Sequence, residues 1–440
     1  MYSIGYGQDT DCFGITPGQV LEVSESIQNG DTIGSIDYCA AGEWKKIEAE
    51  FFSTLALKEN GQLYTWGINS GYNWASLIGG ADPDQQIVFD PYLVKDPLDP
   101  SQDFIVDDVS ASITAAFAIR SDDKSLWSWG FDQDCSLGQG YNENAVYPNK
   151  IEQREPHLVD DTNTWKAVAT SNSGGNAIDT NGQLWGWGYG DGQWYTNHGF
   201  SETICEPTLV NNDSDWKSLA CGSLNTYLIK ENGSLWVMGA DASGSTGQGY
   251  ENNTNQIPGI QQIGSDQDWI HVSAYGVGAV AVKSNGNLYA WGENNGGRMG
   301  LDPYVEGNFS LNVPTQIAGS EGIIFTHADI GWKSATAVDE NGNYYGWGEN
   351  LSGHLGTGDI TTYQEFTLID TGGIAMKYSS TAGRTSGLIT SNGSLRMYGG
   401  NDTGQLGYGE EASTNPNIPV KIELGHQLEN KTIAKYDASS

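Results

Sequence analysis

The chain has 440 residues, of which 38% are hydrophobic, and 55 acidic residues outnumber 20 basic ones to give a net charge of −35. This charge repels the phosphates of nucleic acids and of anionic membranes, so we expect no nucleic acid as a partner. No apolar run reaches the length of about 18 residues that a membrane span needs, so no membrane insertion is predicted.

The first 43 residues carry neither a basic region nor an apolar signal core, so synthesis in the cytosol without a signal peptide is expected. They begin part-way through a pattern that the rest of the chain repeats. Ile4-Gly5 stands where later segments have Trp-Gly, and "PGQVLEV" from Pro17 has the form of a proline-led strand.

A plan of four short strands starts at Trp44. "WKKIEAE" from Trp44 and "TLALKE" from Thr54 alternate as strands do, and Asn60-Gly61 favours a two-residue hairpin. The third strand ends in Trp-Gly, and a glycine-rich connection follows, often reaching Leu-Gly. In later copies a proline then opens a fourth aliphatic strand, as in "PTLV" from Pro207.

The plan occurs seven times, with Asn-Gly in six copies and Asp123-Lys124 in the second. The glycine that closes the third strand occurs at positions 67, 130, 188, 239, 292, 348 and 399, at intervals of 51 to 63 residues. Four antiparallel strands at this period, with no helix between them, are typical of propeller blades. The sequence therefore predicts an all-β propeller.

The residue before each closing glycine is large in every copy. Its constant place predicts packing between blades rather than a cage for a ligand. The seven residues are Trp66, Trp129, Trp187, Met238, Trp291, Trp347 and Tyr398.

The two ends of the chain look like parts of one further repeat, because "NKTIAKYDASS" from Asn430 matches a first strand. We therefore predict a single domain over residues 1–440, with full repeats at about 44–425 and with termini 1–43 and 426–440 closing the ring. Seven full repeats plus a split eighth allow either seven or eight blades.

The pattern resembles the regulator of chromosome condensation (RCC1) repeat family. "NGNLYAWGENNGGRMG" from Asn285 and "NGNYYGWGENLSGHLG" from Asn341 carry the resemblance best, and it extends over almost the whole chain. The resemblance implies a propeller, usually of seven blades. It implies no single function, because family members include exchange factors for small GTPases, parts of larger regulators and enzyme-inhibiting binders.

No motif for catalysis or a cofactor is present. The six histidines form no HExxH or HxH pattern, and neither a GxSxG elbow nor a P-loop occurs. The five cysteines have no zinc spacing and are expected to be reduced thiols. Acidic clusters match no twelve-residue calcium loop, so no metal site is predicted, although calcium binding by acidic loops stays open. We expect no catalytic residues and no cofactor.

Loops vary more than strands, and several carry aromatic residues that suit recognition. The alternative is that these side chains fold back onto their own blades. The candidates are Tyr72, Trp74, Trp194, Tyr195, His198, Tyr304 and Phe309.

These observations favour a non-enzymatic propeller that presents loops to other proteins within a larger assembly. Our first interpretation is a virion component, such as a phage tail or capsid-surface protein that contacts a cell-surface ligand. The alternatives are a regulatory partner of a small GTPase, with the insert at residues 68–90 as its wedge, and a carbohydrate-binding or enzyme-inhibiting module.

Overall fold

A computed structural model describes residues 43–69, 77–80, 85–141, 151–171, 173–191, 198–249, 257, 259–407 and 420–422. These residues form seven four-stranded antiparallel sheets and one 3₁₀ turn at Asn295–Gly297. The fold is therefore the predicted all-β propeller. The predicted closure of the ring by residues 1–43 and 426–440 falls almost wholly outside the described residues.

Each sheet is one blade, and its strands are hydrogen-bonded in chain order. Blade 1 contains β1 (Trp44–Ala49), β2 (Ser53–Lys58), β3 (Leu63–Ile68) and β4 (Ile87–Leu93). Blade 2 contains β5 (Val106–Ala111), β6 (Ala115–Arg120), β7 (Leu126–Asp132) and β8 (Ile151–Asp160). Blade 3 contains β9 (Trp165–Ser171), β10 (Gly174–Asp179), β11 (Leu184–Asp191) and β12 (Glu202–Leu209). Blade 4 contains β13 (Trp216–Cys221), β14 (Asn225–Lys230), β15 (Leu235–Gly239) and β16 (Gln261–Gln262).

The remaining three blades follow the same order. Blade 5 contains β17 (Trp269–Tyr275), β18 (Gly278–Lys283), β19 (Leu288–Glu293) and β20 (Ser310–Gln316). Blade 6 contains β21 (Phe325–Ile330), β22 (Ser334–Asp339), β23 (Tyr344–Gly348) and β24 (Tyr363–Ile369). Blade 7 contains β25 (Met376–Thr381), β26 (Thr385–Thr390), β27 (Leu395–Gly399) and β28 (Val420–Lys421).

The turn between the second and third strands is a glycine turn in six blades. In blade 1, Gly61 takes a φ of 84°, the left-handed region that glycine enters without strain. In blade 2, Lys124 takes a φ of 60° at the equivalent turn. There the Asp123 carboxylate accepts a hydrogen bond from the Ser125 backbone N–H at 3.0 Å, which supports a turn that has no glycine.

A β-bulge follows the first residue of the innermost strand in all seven blades. In blade 1 it lies between Trp44 and Lys46. Beyond the bulge the strand alternates, so Ile47 is buried in the core while Lys46 and Glu48 lie on the opposite side. The same offset in every blade places the equivalents of Lys46 and Glu48 around the ring axis.

Seven blades complete the ring, because blade 7 packs directly against blade 1. The Ala49 backbone N–H donates a hydrogen bond to Ser380 Oγ at 3.1 Å. Thr54 Oγ1 and Trp66 Nε1 both donate to the Gln405 carbonyl at 2.8 Å. These contacts leave no gap between blades 7 and 1, so an eighth blade is not inserted there.

A repeated indole hydrogen bond joins neighbouring blades. Trp129 Nε1 donates to the Leu77 carbonyl of the preceding blade at 2.9 Å, and Trp347 Nε1 donates to the Arg298 carbonyl at 2.8 Å. The same bond runs from Trp66 to Gln405 and from Trp291 to Ser245. Each acceptor lies two residues before a glycine of the glycine-rich connection. That glycine has a positive φ and lets the connection lie against the indole.

Three blades lack this bond, although all seven residues before the closing glycines are fully buried. Trp187 Nε1 has no hydrogen-bond partner. Met238 carries no N–H group, and Tyr398 instead shares a 2.5 Å hydrogen bond between hydroxyl groups with Tyr344. The interfaces between blades therefore share one shape but differ in polar pairing.

Cys135 and Cys205 form a disulfide that joins blades 2 and 3 across 70 residues of sequence. The expectation of reduced thiols is wrong for this pair, because the ring brings together residues whose spacing along the chain carries no signal. Cys221 is free, and burial raises its pKa to about 12. Cys12 and Cys39 lie outside the described residues.

Candidate functional site

The seven innermost strands surround a channel along the ring axis, with a cavity of about 290 Å³. Three positions of each strand face it at equivalent register and form three layers. Layer 1 includes Lys46, Asp108, His271, His327 and Tyr378; layer 2 includes Glu48, Ser273 and Asp329; layer 3 includes Glu50 and Tyr275.

The channel wall is uneven. Blades 3 and 4 contribute only small side chains to the three layers, namely Ala167, Ala169, Ser171, Ser218, Ala220 and Gly222. Blades 1, 5, 6 and 7 contribute the large polar and aromatic side chains. The cavity therefore has a wall of small side chains opposite a wall that carries titratable groups.

Lys46 is the cation of layer 1. Its Nζ donates to Asp108 Oδ1 at 2.9 Å and to the Val109 carbonyl at 2.6 Å, and it lies 3.0 Å from Glu48 Oε1. Burial acts to lower the pKa of Lys46, but the charges of Asp108 and Glu48 raise it well above its usual value. All three N–H donors of this ammonium are thus committed to groups of the channel wall.

Two histidines of layer 1 are neutral. His271 Nε2 is 2.7 Å from the Ala328 carbonyl and His327 Nε2 is 2.7 Å from the Ser379 carbonyl, so each Nε2 donates its proton. Their ring centroids are 4.7 Å apart, and Tyr378 stacks on His327 at 4.1 Å. Burial lowers the pKa of both, to about 3 for His327, so neither carries charge near neutral pH.

Two carboxyl groups of the channel have no basic partner in the part of the chain that the structure describes. Asp329 accepts hydrogen bonds from Ser273 Oγ and, at 2.7 Å, from the Thr381 N–H, yet burial raises its pKa to about 7. Glu50 is buried, and its Oε2 atom has no hydrogen-bond partner. Burial, then the charges of Glu48 and Asp329, raise the pKa of Glu50 well above its usual range.

The ring has two ends, which we name by their connections. The hairpin face carries the turns between second and third strands. The loop face carries the connections between first and second strands and between third and fourth strands. At the loop face Phe51 of blade 1 reaches over the channel, with its ring centroid 5.7 Å from Trp332 and 6.4 Å from Tyr275. Gly383 lies against this ring, where a Cβ would come within 2.0 Å of it.

Arg298 is a buried cation beneath this end of the channel. Its Nε donates to the Glu293 carbonyl at 2.7 Å, and its Nη1 donates to the carbonyls of Tyr275 at 3.1 Å and Trp332 at 3.2 Å. Its Nη2 is 3.3 Å from Glu293 Oε2. Burial lowers its pKa to about 10. The guanidinium therefore ties together the loops of blades 5 and 6.

Exposed apolar side chains gather on the loop face of blades 5 and 6. Tyr304 is 87% exposed and Phe309 is 68% exposed, and both lie in the connection between β19 and β20. Leu351 and Ile360 are exposed in the matching connection of blade 6. We call these four residues, with the exposed Val305, the apolar loop patch.

His198 is not an exposed loop tip as the sequence suggested. It is fully buried, its Nε2 hydrogen-bonds to the Tyr189 carbonyl at 2.7 Å, and burial lowers its pKa. His198 is thus a buried residue of blade 3 that is held by a backbone carbonyl of its own blade. Tyr72, Trp74, Trp194 and Tyr195 lie outside the described residues, so their role stays a prediction.

Sequence reasoning missed the channel residues. A usable signal exists, because aligning the seven first strands reveals positions whose residue type changes from blade to blade. Layer 1 changes from Lys46 to Asp108 to His271, whereas the next position along the strand is aliphatic in six of the seven blades.

Within the described ranges, no three His, Cys, Asp or Glu side chains come close enough together to hold a metal ion. No helix in this part of the chain is long and apolar enough to cross a membrane.

Comparison with known proteins agrees with the repeat pattern. Residues 285–338, which run from the β18–β19 turn of blade 5 into β22 of blade 6, match the family model of the regulator of chromosome condensation (RCC1) repeat. Over these residues the chain is similar to the RCC1 repeat. The crystal structure of Prp20p from Saccharomyces cerevisiae shares this RCC1 propeller fold, with a TM-score of 0.68 at 16% identity over 85% of this chain and 89% of that chain.

Two plant relatives extend the RCC1 match. The ultraviolet-B receptor UVR8 of Arabidopsis thaliana is 25% identical over 70% of this chain and 65% of its own length. The mitochondrial RCC1 domain-containing protein RUG3 of the same plant is 24% identical over 68% of this chain and 70% of its own length. The chain thus spans about two thirds of these relatives.

Proposed function

We propose that this RCC1-repeat propeller is a non-enzymatic regulator that binds another protein through the apolar loop patch. The observation that carries the proposal is the exposure of Tyr304 and Phe309 in one loop-face connection, and of Leu351 and Ile360 in the matching connection of the next blade. Large exposed aromatics on a rigid scaffold are frequent anchors of protein interfaces. Such exposed apolar residues are unexpected on this surface, because a net charge of −35 alone would favour polar residues there.

The net charge favours a partner with a basic surface. Opposite charge accelerates encounter and disfavours acidic competitors, while the apolar patch supplies the contact area. We therefore expect association to slow as salt rises and dissociation to depend on the aromatic residues.

A small GTPase is the partner class that we place first. The supporting observation is the likeness to Prp20p, whose structure is described together with binding to Gsp1p and histones. No relative named above is a virion protein, so the virion interpretation rests on composition alone. Glycan binding and enzyme inhibition also stay predictions.

The test combines binding and nucleotide release. Small GTPases loaded with fluorescent GDP are mixed with the propeller, and release rate and affinity are measured. We expect one of them to bind and to release its nucleotide faster. Replacing Phe309 by Ser should weaken binding at least tenfold, since the loss of an aromatic anchor costs about 2 kcal/mol.

Leu98→Ser is the matched control. Leu98 has the same exposure as Phe309, 68%, but lies on the hairpin face in the connection between β4 and β5. It should leave binding unchanged. Equal losses from both variants would contradict a role for the apolar loop patch. Binding without faster release would keep the protein-binding proposal and reject the exchange role, and no binding to any GTPase would reject that partner class.

A further inference from the structure

We propose that the central channel is a binding site for an organic cation, an alkylammonium or guanidinium group, that pairs with Glu50. Two observations carry this: the channel holds a cavity of about 290 Å³, and Glu50 lines that cavity with a buried carboxylate oxygen that has no hydrogen-bond partner. The site is separate from the apolar loop patch and does not depend on the proposed partner.

The described part of the protein offers Glu50 no cation of its own. The three N–H donors of Lys46 are directed to Asp108, to the Val109 carbonyl and to Glu48. Arg298 directs its donors to backbone carbonyls and to the carboxylate of Glu293. A buried carboxylate without a partner is costly, so a cation that entered the cavity would gain an interaction that no residue supplies.

The charge around Glu50 adds to this preference. Glu48 and Asp329 are close enough to raise its pKa by repulsion. The nearby histidines His271 and His327 stay neutral because they are buried. An entering cation therefore meets three carboxyl groups, of which only that of Glu48 already has an ion-pair partner.

The shape of the cavity suits a slender group. Small side chains of blades 3 and 4 leave space opposite the acidic wall, enough for roughly ten waters at about 30 Å³ each. Tyr275 lines the loop-face end of the cavity, with Phe51 next to it, and aromatic faces attract ammonium and guanidinium groups. A metal ion fits less well, since no three ligating side chains converge among the described residues.

Binding should depend on pH. Asp329 has its pKa raised by burial to about 7, and that of Glu50 is raised in the same direction. Lowering the pH favours the protonated form of both acids, and a protonated acid attracts a cation weakly. Lys46 keeps its charge and Tyr275 and Tyr378 stay neutral, because their pKa values are raised. Affinity should therefore rise from pH 5 to pH 8, with protons released on binding.

The experiment is titration calorimetry of the whole protein with 1,4-diaminobutane, and with 1,4-butanediol as the uncharged match. We expect saturable one-to-one binding of the diamine, at least tenfold tighter at pH 8 than at pH 5, and none of the diol. Repeating the titration at pH 6.5 in buffers of different ionisation enthalpy measures the released protons.

Glu50→Gln should remove the saturable component while leaving the melting temperature unchanged or higher, because it removes a buried acid that has an unpartnered oxygen. Glu340→Gln, an exposed acid in the β22–β23 turn, is the control for non-specific attraction to the acidic surface and should bind as the parent does. Asp329→Asn is a second channel variant, should Glu50→Gln fold poorly, and should weaken binding.

A second arm separates the two sources of such a cation. The diamine is compared with a short peptide that carries one lysine, and with the same peptide carrying norleucine. Binding of the diamine alone assigns the site to a free polyamine, and tighter binding of the lysine peptide assigns it to a side chain of a partner protein. Binding that survives in both channel variants, or equal binding of diol and diamine, would overturn the proposal.

Discussion

The indole hydrogen bond between blades allows a paired test of what holds the ring together. Trp129 and Trp187 occupy the same position in neighbouring blades and are both fully buried. Only Trp129 donates its Nε1 proton, to the Leu77 carbonyl at 2.9 Å, whereas Trp187 Nε1 has no partner. Substitution by Phe keeps most of the apolar contact and removes the N–H group in both.

The two substitutions should lower the free energy of unfolding by different amounts, because only one of them removes a hydrogen bond. Trp129→Phe leaves the Leu77 carbonyl without its partner, at about 1–3 kcal/mol, in addition to a small packing defect. Trp187→Phe creates only the packing defect and removes an unsatisfied donor. Unfolding 440 residues carries an entropy of about 0.9 kcal/mol per kelvin, so Trp129→Phe should melt about 1–3 °C below Trp187→Phe.

Differential scanning calorimetry of the two variants at one pH and one scan rate measures this difference. Trp332→Phe, at a 40% exposed indole, is the control and should melt close to the parent. If Trp187→Phe melts as low as Trp129→Phe, the hydrogen bond contributes nothing measurable and the blades are held by apolar contact alone.

Three other predictions follow from named groups. Replacing Cys135 and Cys205 together by Ser should lower the free energy of unfolding by about 4 kcal/mol, because the disulfide spans 70 residues; intact masses with and without reductant check the bond itself. Lys58→Met should leave the free energy of unfolding unchanged or raise it, because burial lowers the pKa of Lys58 to about 8 and no carboxylate lies within ion-pair distance among the described residues. Lys283→Met should lower the free energy of unfolding by about 1 kcal/mol, since Lys283 pairs with Asp266 and Asp268. Denaturant unfolding that ranked the two variants in the reverse order would contradict this reasoning. The pKa of Asp329 in the folded protein, about 7, lies above its unfolded value, so its contribution to stability is lost as pH rises through 7. Asp329→Asn should therefore raise the melting temperature more at pH 8 than at pH 5. An effect on the melting temperature that does not depend on pH would refute this prediction.

The fold could be predicted because its signals are local and repeated. An Asn-Gly turn and the Trp-Gly that follows it each report one hairpin, and seven copies at a steady interval report a ring. Blade 2 shows that the prediction does not need every local signal. Asp123 and Lys124 make the equivalent turn without glycine, and the spacing of the repeat still locates that turn.

The site could not be predicted in the same way, because it is made of positions that do not repeat. Asp329 is far in sequence from Lys46 and Glu50, and each of the three looks like an ordinary residue of an acidic chain. Only the bulge after the first residue of each innermost strand turns them towards one axis. The candidate His198 was misjudged for a related reason, since no local pattern shows that its side chain is buried.

The Cys135–Cys205 link crosses the boundary at which Trp187 leaves its indole N–H unbonded. The disulfide therefore crosses an interface between blades that lacks the indole hydrogen bond found at four other interfaces. Reduction should make the boundary between blades 2 and 3 the first to open, and opening would expose the apolar faces of two sheets to other chains. Backbone amide hydrogen exchange that becomes faster first in β9 and β10 after reduction would show that this interface opens first. The redox potential of the surroundings would then determine how long the ring stays closed.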